Sequence, residues 1–351
     1  MIEHQHEWPR VSVLAPCRNE ASFIQTAIQS ILDNDYPADK IEVLVLDGMS
    51  TDGTREIVQQ MIIRDSRIKL VDNPDKIVPT AMNIGIRAAQ GEYIIRIDCH
   101  AKFSNDYIRR CIEVHRRTKA NNVGGYSVTL PGANTPMARA IASVASCRFG
   151  VGNSQFRLTG PEQQVDTVPF GTYKKEMLEK IGGYDERLVR NQDIELNSRI
   201  RKAGGTIIIS PEIKLCYYNR ATLKGLWQQS FNNGLWNPYT VWLVGGGLSL
   251  RHFIPMVFVL GIAVLLAGSV LWSAMFWLLL GYLSLYSFFA AIFAIQTTQQ
   301  NKVNIPNVWI CFWVLHIAYG IGSLWAVLTI PFKFPSRKKK QIGKALADRK
   351  K

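Results

Sequence analysis

The chain has 351 residues, enough for one large domain or two ordinary ones, with 47% hydrophobic and 19% charged residues and a formal net charge of +14. Those averages hide two different polymers: residues 252–301 are 50 consecutive positions without Asp, Glu, Lys or Arg, and 30 more follow Lys302. A membrane-spanning helix needs about 20 apolar residues, which excludes a wholly soluble protein. The segment 333–351 holds nine basic residues and one acid, so most of the excess charge adjoins hydrophobic spans. Anionic membrane lipids are the partner this placement implies, and no nucleic acid is expected. Six cysteines without a C-x-x-C pair argue against a zinc cluster or disulfide scaffold and suit a reducing compartment. The polar start, Met1 to His6, has no apolar signal core, so the first 250 residues are expected to stay in the cytoplasm.

In chain order, the soluble part alternates strand and helix. Val11-Ser12-Val13-Leu14-Ala15 is a short apolar run that Pro16 stops, and Phe23, Ala27, Ile28, Ile31 and Leu32 recur at helical spacing until Pro37. A second strand runs from Ile41 to Leu46. The polar loop from Asp47 to Gly53 opens a helix carrying Ile57, Val58, Met61 and Ile62. A strand at 68–71, a helix at 78–89 and a strand at 93–97 ending on Asp98 complete an alternation that predicts a mostly parallel sheet covered on both faces. Beyond Asn105 the pattern loosens: a strand at 123–130, an irregular stretch to 164, and a return to the sheet at 165–170. Helices at 174–181 and 193–203 and a strand at 206–209 follow. Residues 222–250 are rich in Trp, Asn and Gly, which suits a membrane interface or, for the first half, a buried helix of the soluble domain. Hydrophobic spans are predicted at 253–271, 273–295 and 308–330.

Three places carry chemistry. Asp47 ends the second strand, where open α/β sheets bind ligands, although Asp47, Ser50 and Asp52 could equally form turns and cap the next helix. Asp98-Cys99-His100 ends another strand. In extended backbone Asp98 and His100 leave the same face, offering an oxygen and a nitrogen to Mn²⁺ or Mg²⁺. Asp193, at a helix start in Asn191-Gln192-Asp193-Ile194-Glu195, is either an N-cap or a general base. Neither G-x-G-x-x-G nor G-x-x-x-x-G-K-[ST] occurs, so dinucleotide and Walker phosphate loops fit poorly.

Over residues 10–240 these spacings resemble the family 2 inverting glycosyltransferases with a GT-A nucleotide-sugar domain. The resemblance runs through Pro16-Cys17-Arg18-Asn19-Glu20, Asp47 to Thr54, Ile97-Asp98-Cys99-His100-Ala101, Gly182-Gly183-Tyr184-Asp185-Glu186 and Asn191 to Leu196. It is strongest toward the membrane-tethered, succinoglycan-type glucosyltransferases of exopolysaccharide assembly. The resemblance implies an α/β GT-A domain at 1–224, an interfacial aromatic segment at 225–250, two to three transmembrane helices at 251–332 and a basic tail at 333–351. It implies a nucleoside site at Asp47 with Pro16, Arg18 and Glu20 beside it, and a metal at Asp98 and His100 with Asp98 facing the donor. Asp193 is then the base, and Gly171, Thr172 and Gln192 lie toward the acceptor.

Three positions depart from the family pattern. Asp47-Gly48-Met49-Ser50 replaces Asp-Asp-Gly-Ser, Gln192 replaces the acid before the base, and Gln229-Ser230-Phe231-Asn232-Asn233 lacks the arginine of the processive Gln-x-x-Arg-Trp motif. The implied function is metal-dependent transfer of a sugar, UDP-linked by expectation, to a lipid-linked glycan at the inner membrane. Transfer to a polyprenyl phosphate and an inactive GT-A-like binding partner are the alternatives. Three crossings would put the basic tail outside, against the positive-inside rule. Either one segment is re-entrant or interfacial, or the rule fails; the number of lysines favours a tail inside.

Overall fold

The computed structural model describes residues 7–152, 154–301 and 303–334. Two compact units divide them, one comprising residues up to 132 with 145–219, the other 133–144 with 220 onward. The first unit is one nine-stranded sheet with helices on both faces. Its strands are β1 Val11–Cys17, β2 Ile41–Asp47, β3 Ile68–Asp72, β4 Tyr93–Arg96, β5 Ala101–Phe103, β6 Asn122–Leu130, β7 Gln163–Gln164, β8 Thr172–Lys174 and β9 Ile207–Tyr218. Helices α1 Ile24–Leu32, α2 Thr54–Arg64, α3 Val78–Ala88 and α4 Tyr107–Thr118 precede β6. In the second unit lies α5 Pro136–Val144, followed in the first by α6 Arg148–Val151, α7 Lys175–Lys180 and α8 Gln192–Lys202.

The strand order is β3-β2-β1-β4-β8-β6-β9-β5, with β7 paired to β9. Strands β3, β2, β1 and β4 are mutually parallel, β8 runs antiparallel between β4 and β6, and β6 and β9 are parallel along nine residue pairs. The chain winds from β1 through β2 to β3, then returns to place β4 on the other side of β1. That reversal opens a crevice beyond the carboxyl ends of β1, β2 and β4, where such sheets take their ligands.

Side-chain parity divides the core. Val11, Val13, Val43, Val45, Tyr93 and Ile95 pack on one face with Ile24, Ile28, Val58, Ile108 and Ile112 from α1, α2 and α4. Leu14, Leu44, Leu46 and Ile94 pack on the other with Met82, Ile86, Leu178, Leu196 and Ile200 from α3, α7 and α8. Burial on both faces explains why these strands read as continuous apolar runs.

Several expected elements shift. β1 runs through Pro16 to Cys17, because a proline next to a strand's end forfeits little of the ladder. The return to the sheet comes at β8, after the predicted 165–170, and β9 is 12 residues long. The stretch expected to be irregular contains α5. Helix α4, in which Ile108, Cys111, Ile112 and His115 are buried between arginines, follows Asn105 unannounced.

The second unit also contains α9 Leu223–Val244, α10 Ile254–Ser269, α11 Ser273–Asn301 and α12 Ile305–Lys333. Three helical stretches, Leu250–Ser269, Ser273–Gln300 and Ile305–Lys333, are long and apolar enough to cross a membrane. Helix α9 packs against the second half of α12 without room for side chains. A Cβ on Gly234 would meet the Tyr319 carbonyl oxygen at 1.9 Å, and one on Gly322 the Phe231 oxygen at 2.1 Å. Asn237 Nδ2 donates to Tyr319 Oη at 2.6 Å, and Tyr239 Oη lies 2.6 Å from Thr329 Oγ1. Residues Pro238, Trp242, Phe253, Met256, Val327 and Ile330 line one apolar cavity of about 420 Å³. The first turn of α10 packs against the middle of α12, where a Cβ on Gly320 would meet the Pro255 carbonyl oxygen at 2.2 Å. The tail from 335 onward is outside the described residues.

The Gly234–Tyr319 contact is testable. Gly234→Ala must push two helix backbones apart and is expected to lower stability by about 1–3 kcal/mol. Gly281→Ala, where a Cβ meets nothing within 4 Å, should be neutral or slightly stabilising. Thermal unfolding of the detergent-solubilised chain compares them, and equal midpoints would refute the close contact.

Candidate active site

The loops after β1 and β2 are sewn together at the crevice. The amides of Asn19, Glu20 and Ala21 donate to Ser50 Oγ, Thr54 Oγ1 and Asp52 Oδ2 at 2.9, 2.8 and 3.1 Å. In return, Thr51 N donates to Asn19 Oδ1 at 2.9 Å and Gly48 N to the Cys17 carbonyl at 2.8 Å. Gly48 is bare where Arg18 crosses it, since a Cβ there would lie 3.2 Å from that of Arg18. Arg18 is exposed, and Pro16 and Glu20 are partly so. Asp52 serves the helix-start role, accepting from Thr54 N at 3.1 Å.

Asp47 sits inside this loop, not on it, with a side chain 0% exposed. Oδ1 accepts from Ser50 Oγ at 2.5 Å; Oδ2 accepts from Ser50 N at 3.0 Å and Arg55 Nη1 at 2.7 Å. Burial pushes its carboxyl up, but the Ser50 and Arg55 bonds outweigh burial and hold it below the usual range. The same Arg55 nitrogen reaches Asp72 at 2.8 Å, tying the ends of β2 and β3. Its oxygens order the loop whose rim carries Arg18 and Glu20, and Asp47 stays the candidate at the nucleoside side.

Asp98, Cys99 and His100 do not continue β4. They form a turn in which Ala101 N donates to the Asp98 carbonyl at 3.0 Å, so the shared strand face expected for Asp98 and His100 is absent. Asp98 and His100 are each about one-third exposed, at 32% and 34%. His100 Nε2 lies 3.4 Å from Glu20 Oε2, and its ring packs on Phe23. Among the described residues no group of three or more His, Cys, Asp or Glu side chains gathers into a metal cage. A carboxylate and an imidazole open to the crevice nonetheless fit a hard cation that takes its other ligands from water and phosphate, as Mg²⁺ and Mn²⁺ commonly do.

Asp193 stands in the first turn of α8, after Asn191 in the left-handed region at φ 61°. Its carboxylate is paired, through Oδ1, with Nη1 of Arg96. Arg96 Nη2 donates to Asp98 Oδ1 at 3.2 Å. One guanidinium thus joins the two carboxylates. Arg96 alternates with Ile95 and Ile97, so it leaves β4 on the face that α8 covers. Its side chain is 5% exposed against 24% for Asp193. Burial pushes the Asp193 carboxyl up, Arg96 pulls it down and Asp98 pushes it up again, leaving it above the usual range.

Sequence reasoning treated Arg96 as an ordinary strand residue; the signal was a lone cation inside Tyr93-Ile94-Ile95-Arg96-Ile97, which a two-faced buried strand can hold only against carboxylates. The Gly182-to-Glu186 motif supplies the floor. Asn83 Nδ2 donates to the Tyr184 carbonyl at 2.9 Å and Glu186 Oε1 at 2.8 Å, and its Oδ1 accepts from Tyr184 N at 2.8 Å. Tyr184 and Tyr173 are buried within electrostatic reach of Arg96 and Asp193.

The acceptor-side expectations divide. Thr172 is fully buried between β4 and β6, its carbonyl 2.7 Å from His115 Nε2. Gly171 precedes it, its carbonyl accepting from Arg96 N at 3.2 Å. Gln192 opens α8, with a buried Oε1 that has no partner among the described residues.

The chain is similar to known proteins in sequence and in fold. The sequence model of Glycosyl transferase family 2 matches residues 12–182. The succinoglycan biosynthesis protein ExoA of Rhizobium meliloti is 34% identical over 224 residues, 63% of this chain and 67% of that protein. A dolichyl N-acetyl-alpha-D-glucosaminyl phosphate 3-beta-D-2,3-diacetamido-2,3-dideoxy-beta-D-glucuronosyltransferase of Methanococcus voltae is 27% identical over 64% of this chain and 71% of its own. Among solved structures, the mannosyltransferase PcManGT of Pyrobaculum calidifontis, in complex with GDP-Man and Mn²⁺, superposes with a TM-score of 0.60 at 19% identity. The match covers 91% of this chain and 88% of that one. At that identity the likeness carries the fold alone.

Proposed function

The chain belongs to glycosyl transferase family 2, and from that premise we propose that it moves a sugar, with inversion, from a UDP-linked donor to a hydroxyl of a lipid-linked glycan. It is a glycosyltransferase of GT-A fold with three helices able to cross a membrane. The observation that carries the mechanism is the meeting of Asp98 and Asp193 on one guanidinium at the carboxyl end of the parallel strands.

Asp193 takes the proton of the acceptor hydroxyl. That oxygen forms a bond to the anomeric carbon as the bond to the donor's diphosphate oxygen breaks. The electron pair leaves with the nucleoside diphosphate, and attack from the opposite face inverts the centre. A divalent metal held through Asp98 and His100 would supply charge neutralisation for the departing diphosphate. Arg18 and Glu20, on the rim ordered by Asp47, lie on the nucleoside side, and Gln192 on the acceptor side. The lipid-linked acceptor is supported by the named reaction of the Methanococcus relative, and the exopolysaccharide setting by ExoA. A panel of labelled nucleotide sugars offered to membranes, followed by lipid extraction, identifies the donor. Label from GDP- but not UDP-sugars would overturn that part of the reading.

We place the catalytic unit in the cytoplasm of an inner-membrane protein. The nine basic residues of 333–351, which translocate poorly, support an even number of true crossings and a cytoplasmic tail under the positive-inside rule. One apolar helix then lies in the interface or re-enters.

Three outcomes are expected. Chelation should abolish transfer and Mn²⁺ restore it at least as well as Mg²⁺. Asp98→Ala should lose most activity while His100→Asp keeps some, and full activity in excess chelator would remove the metal from the scheme. Asp193→Asn should bind donor yet turn over at least roughly 10²-fold more slowly. Because Asp193 is held above the usual carboxylate range, the wild-type rate should fall on the acid side at a pH above the ordinary aspartate value of about 3.9. Near-normal turnover by Asp193→Asn would favour a polyprenyl-phosphate acceptor. Finally, a single cysteine at Ser336, in a chain without its native cysteines, should resist a membrane-impermeant reagent in intact cells and react after permeabilisation. Labelling of intact cells would put the tail outside.

A further inference from the structure

We propose that Arg96 is the positioning residue of the transfer step: its buried guanidinium, anchored on Asp98, grips Asp193 by Oδ1 and thereby presents Asp193 Oδ2 to the acceptor hydroxyl. The inference rests on Asp193 being the base.

Four observations support it. The grip is one-sided, since among the described residues no hydrogen bond reaches Oδ2 of Asp193 or of Asp98. The backbone beneath Arg96 is held on both sides, by β1 through Leu14 and by the Gly171 carbonyl that accepts from Arg96 N at 3.2 Å. The side chain cannot retreat to solvent, being 5% exposed. Asp193 itself departs from habit: a first-turn carboxylate ordinarily turns onto its own helix's free amides, whereas this one leaves α8 for β4.

Charge alone does not explain the arrangement. A cation beside a general base weakens it, so an arginine here would slow proton abstraction if electrostatics were its only effect. A buried ion pair is also a poor source of stability compared with well-packed apolar side chains. What a forked guanidinium supplies that neither an apolar residue nor a lysine can is two carboxylates held at fixed separation. The base is mounted on a helix and the Asp98 turn on the sheet, and Arg96 is the side chain that locks one to the other. The buried Tyr184 hydroxyl also lies against Arg96 and Tyr173, but among the described residues the two carboxylates are the charged groups that fix the guanidinium.

The test is a double-variant cycle on the full-length protein in membranes. It uses the labelled nucleotide sugar that the donor panel identifies and the endogenous lipid acceptor. Arg96→Lys keeps the charge but loses the fork. It is expected to lower kcat by about 10²-fold, the cost of roughly 1 Å of misplacement, while the donor KM stays within about threefold. If Arg96 acts through Asp193, the double variant Arg96→Lys/Asp193→Asn should be no slower than Asp193→Asn alone.

Multiplicative losses would show that Arg96 acts independently and overturn the proposal. A kcat that falls only in proportion to donor-binding stoichiometry would reduce Arg96 to a structural residue and also overturn it. Should Arg96→Lys not fold, Arg96→Ala takes its place, and millimolar guanidinium should restore turnover in that variant but not in Arg96→Ala/Asp193→Asn. Near-normal turnover by Asp193→Asn itself would instead sink the base assignment, an outcome distinct from a slow Asp193→Asn combined with multiplicative losses.

Discussion

A cation buried in a β-sheet must be neutralised where it stands, and the need to neutralise Arg96 organises the catalytic crevice. Its strand is the fourth element of a parallel set, flanked by β1 and β8, and cannot shift without breaking two ladders. Parity sends the side chain to the α8 face, and a partner must come from α8 or the strand end. Asp193 and Asp98 are those partners. The Gly182-to-Glu186 segment, fastened to α3 by Asn83, closes the floor with Tyr184. Arg199, bidentate to Glu195 at 2.6 and 2.7 Å and bonded to the Ile181 carbonyl at 2.8 Å, ties α8 to the end of α7. Motifs that look separate in the sequence are therefore one mechanical assembly around a single guanidinium.

The other end of the crevice, proposed for the donor, obeys a different logic. There the loops after β1 and β2 owe their shape to hydrogen bonds between backbone amides and short polar side chains, with Asp47 at the centre. A carboxylate with every oxygen occupied and its pKa depressed is a fixed charge, suited to hold a loop and poorly suited to reach out from it. Arg18, lying over Gly48, is the group at that rim with freedom to meet an anion. The division is physical: the buried acid sets geometry, and the exposed base is available for recognition.

Much of this was legible from the sequence. Alternating apolar runs and helical spacing located β1 to β4 and α1 to α3, because strands buried on both faces and amphipathic helices write their burial directly into composition. Asp98 and Asp193 stood out as candidates because a polar residue at a strand end or helix start contrasts with its flanks. What escaped depends on tertiary contact. Arg96 is one residue in an apolar strand, and nothing local says that two carboxylates converge on it. Thr172 was assigned to the acceptor side by position, whereas its burial comes from the antiparallel insertion of β8, which no local pattern announces. The Asp98-to-His100 triplet was read as extended, but the backbone turns there so that β5 can leave for the far edge beside β9. Helix α5 was hidden because small residues such as Ala138, Ala140 and Ala142 give little hydrophobic contrast.

The charge balance of the crevice also bears on the acceptor. One guanidinium faces two carboxylates, so the assembly is net negative before any substrate arrives. A metal-bound diphosphate brings its own compensating cation, which leaves that deficit in place. Under the proposed reading, a neutral hydroxyl would approach such a site without electrostatic cost and give its proton to a carboxylate already held above the ordinary range. A phosphate monoester approaches as an anion, must shed water against two like charges, and has no proton that the reaction requires the protein to remove. Coulomb repulsion between unit charges 4 Å apart is about 4 kcal/mol at an effective dielectric of 20, comparable with the roughly 3–5 kcal/mol that a 10²–10⁴-fold base contributes, so an anionic acceptor would meet the repulsion without needing the base. The same arithmetic turns the replacement of the usual preceding acid by Gln192 into an asset: a further carboxylate beside Asp193 would deepen the deficit that Arg96 only half relieves.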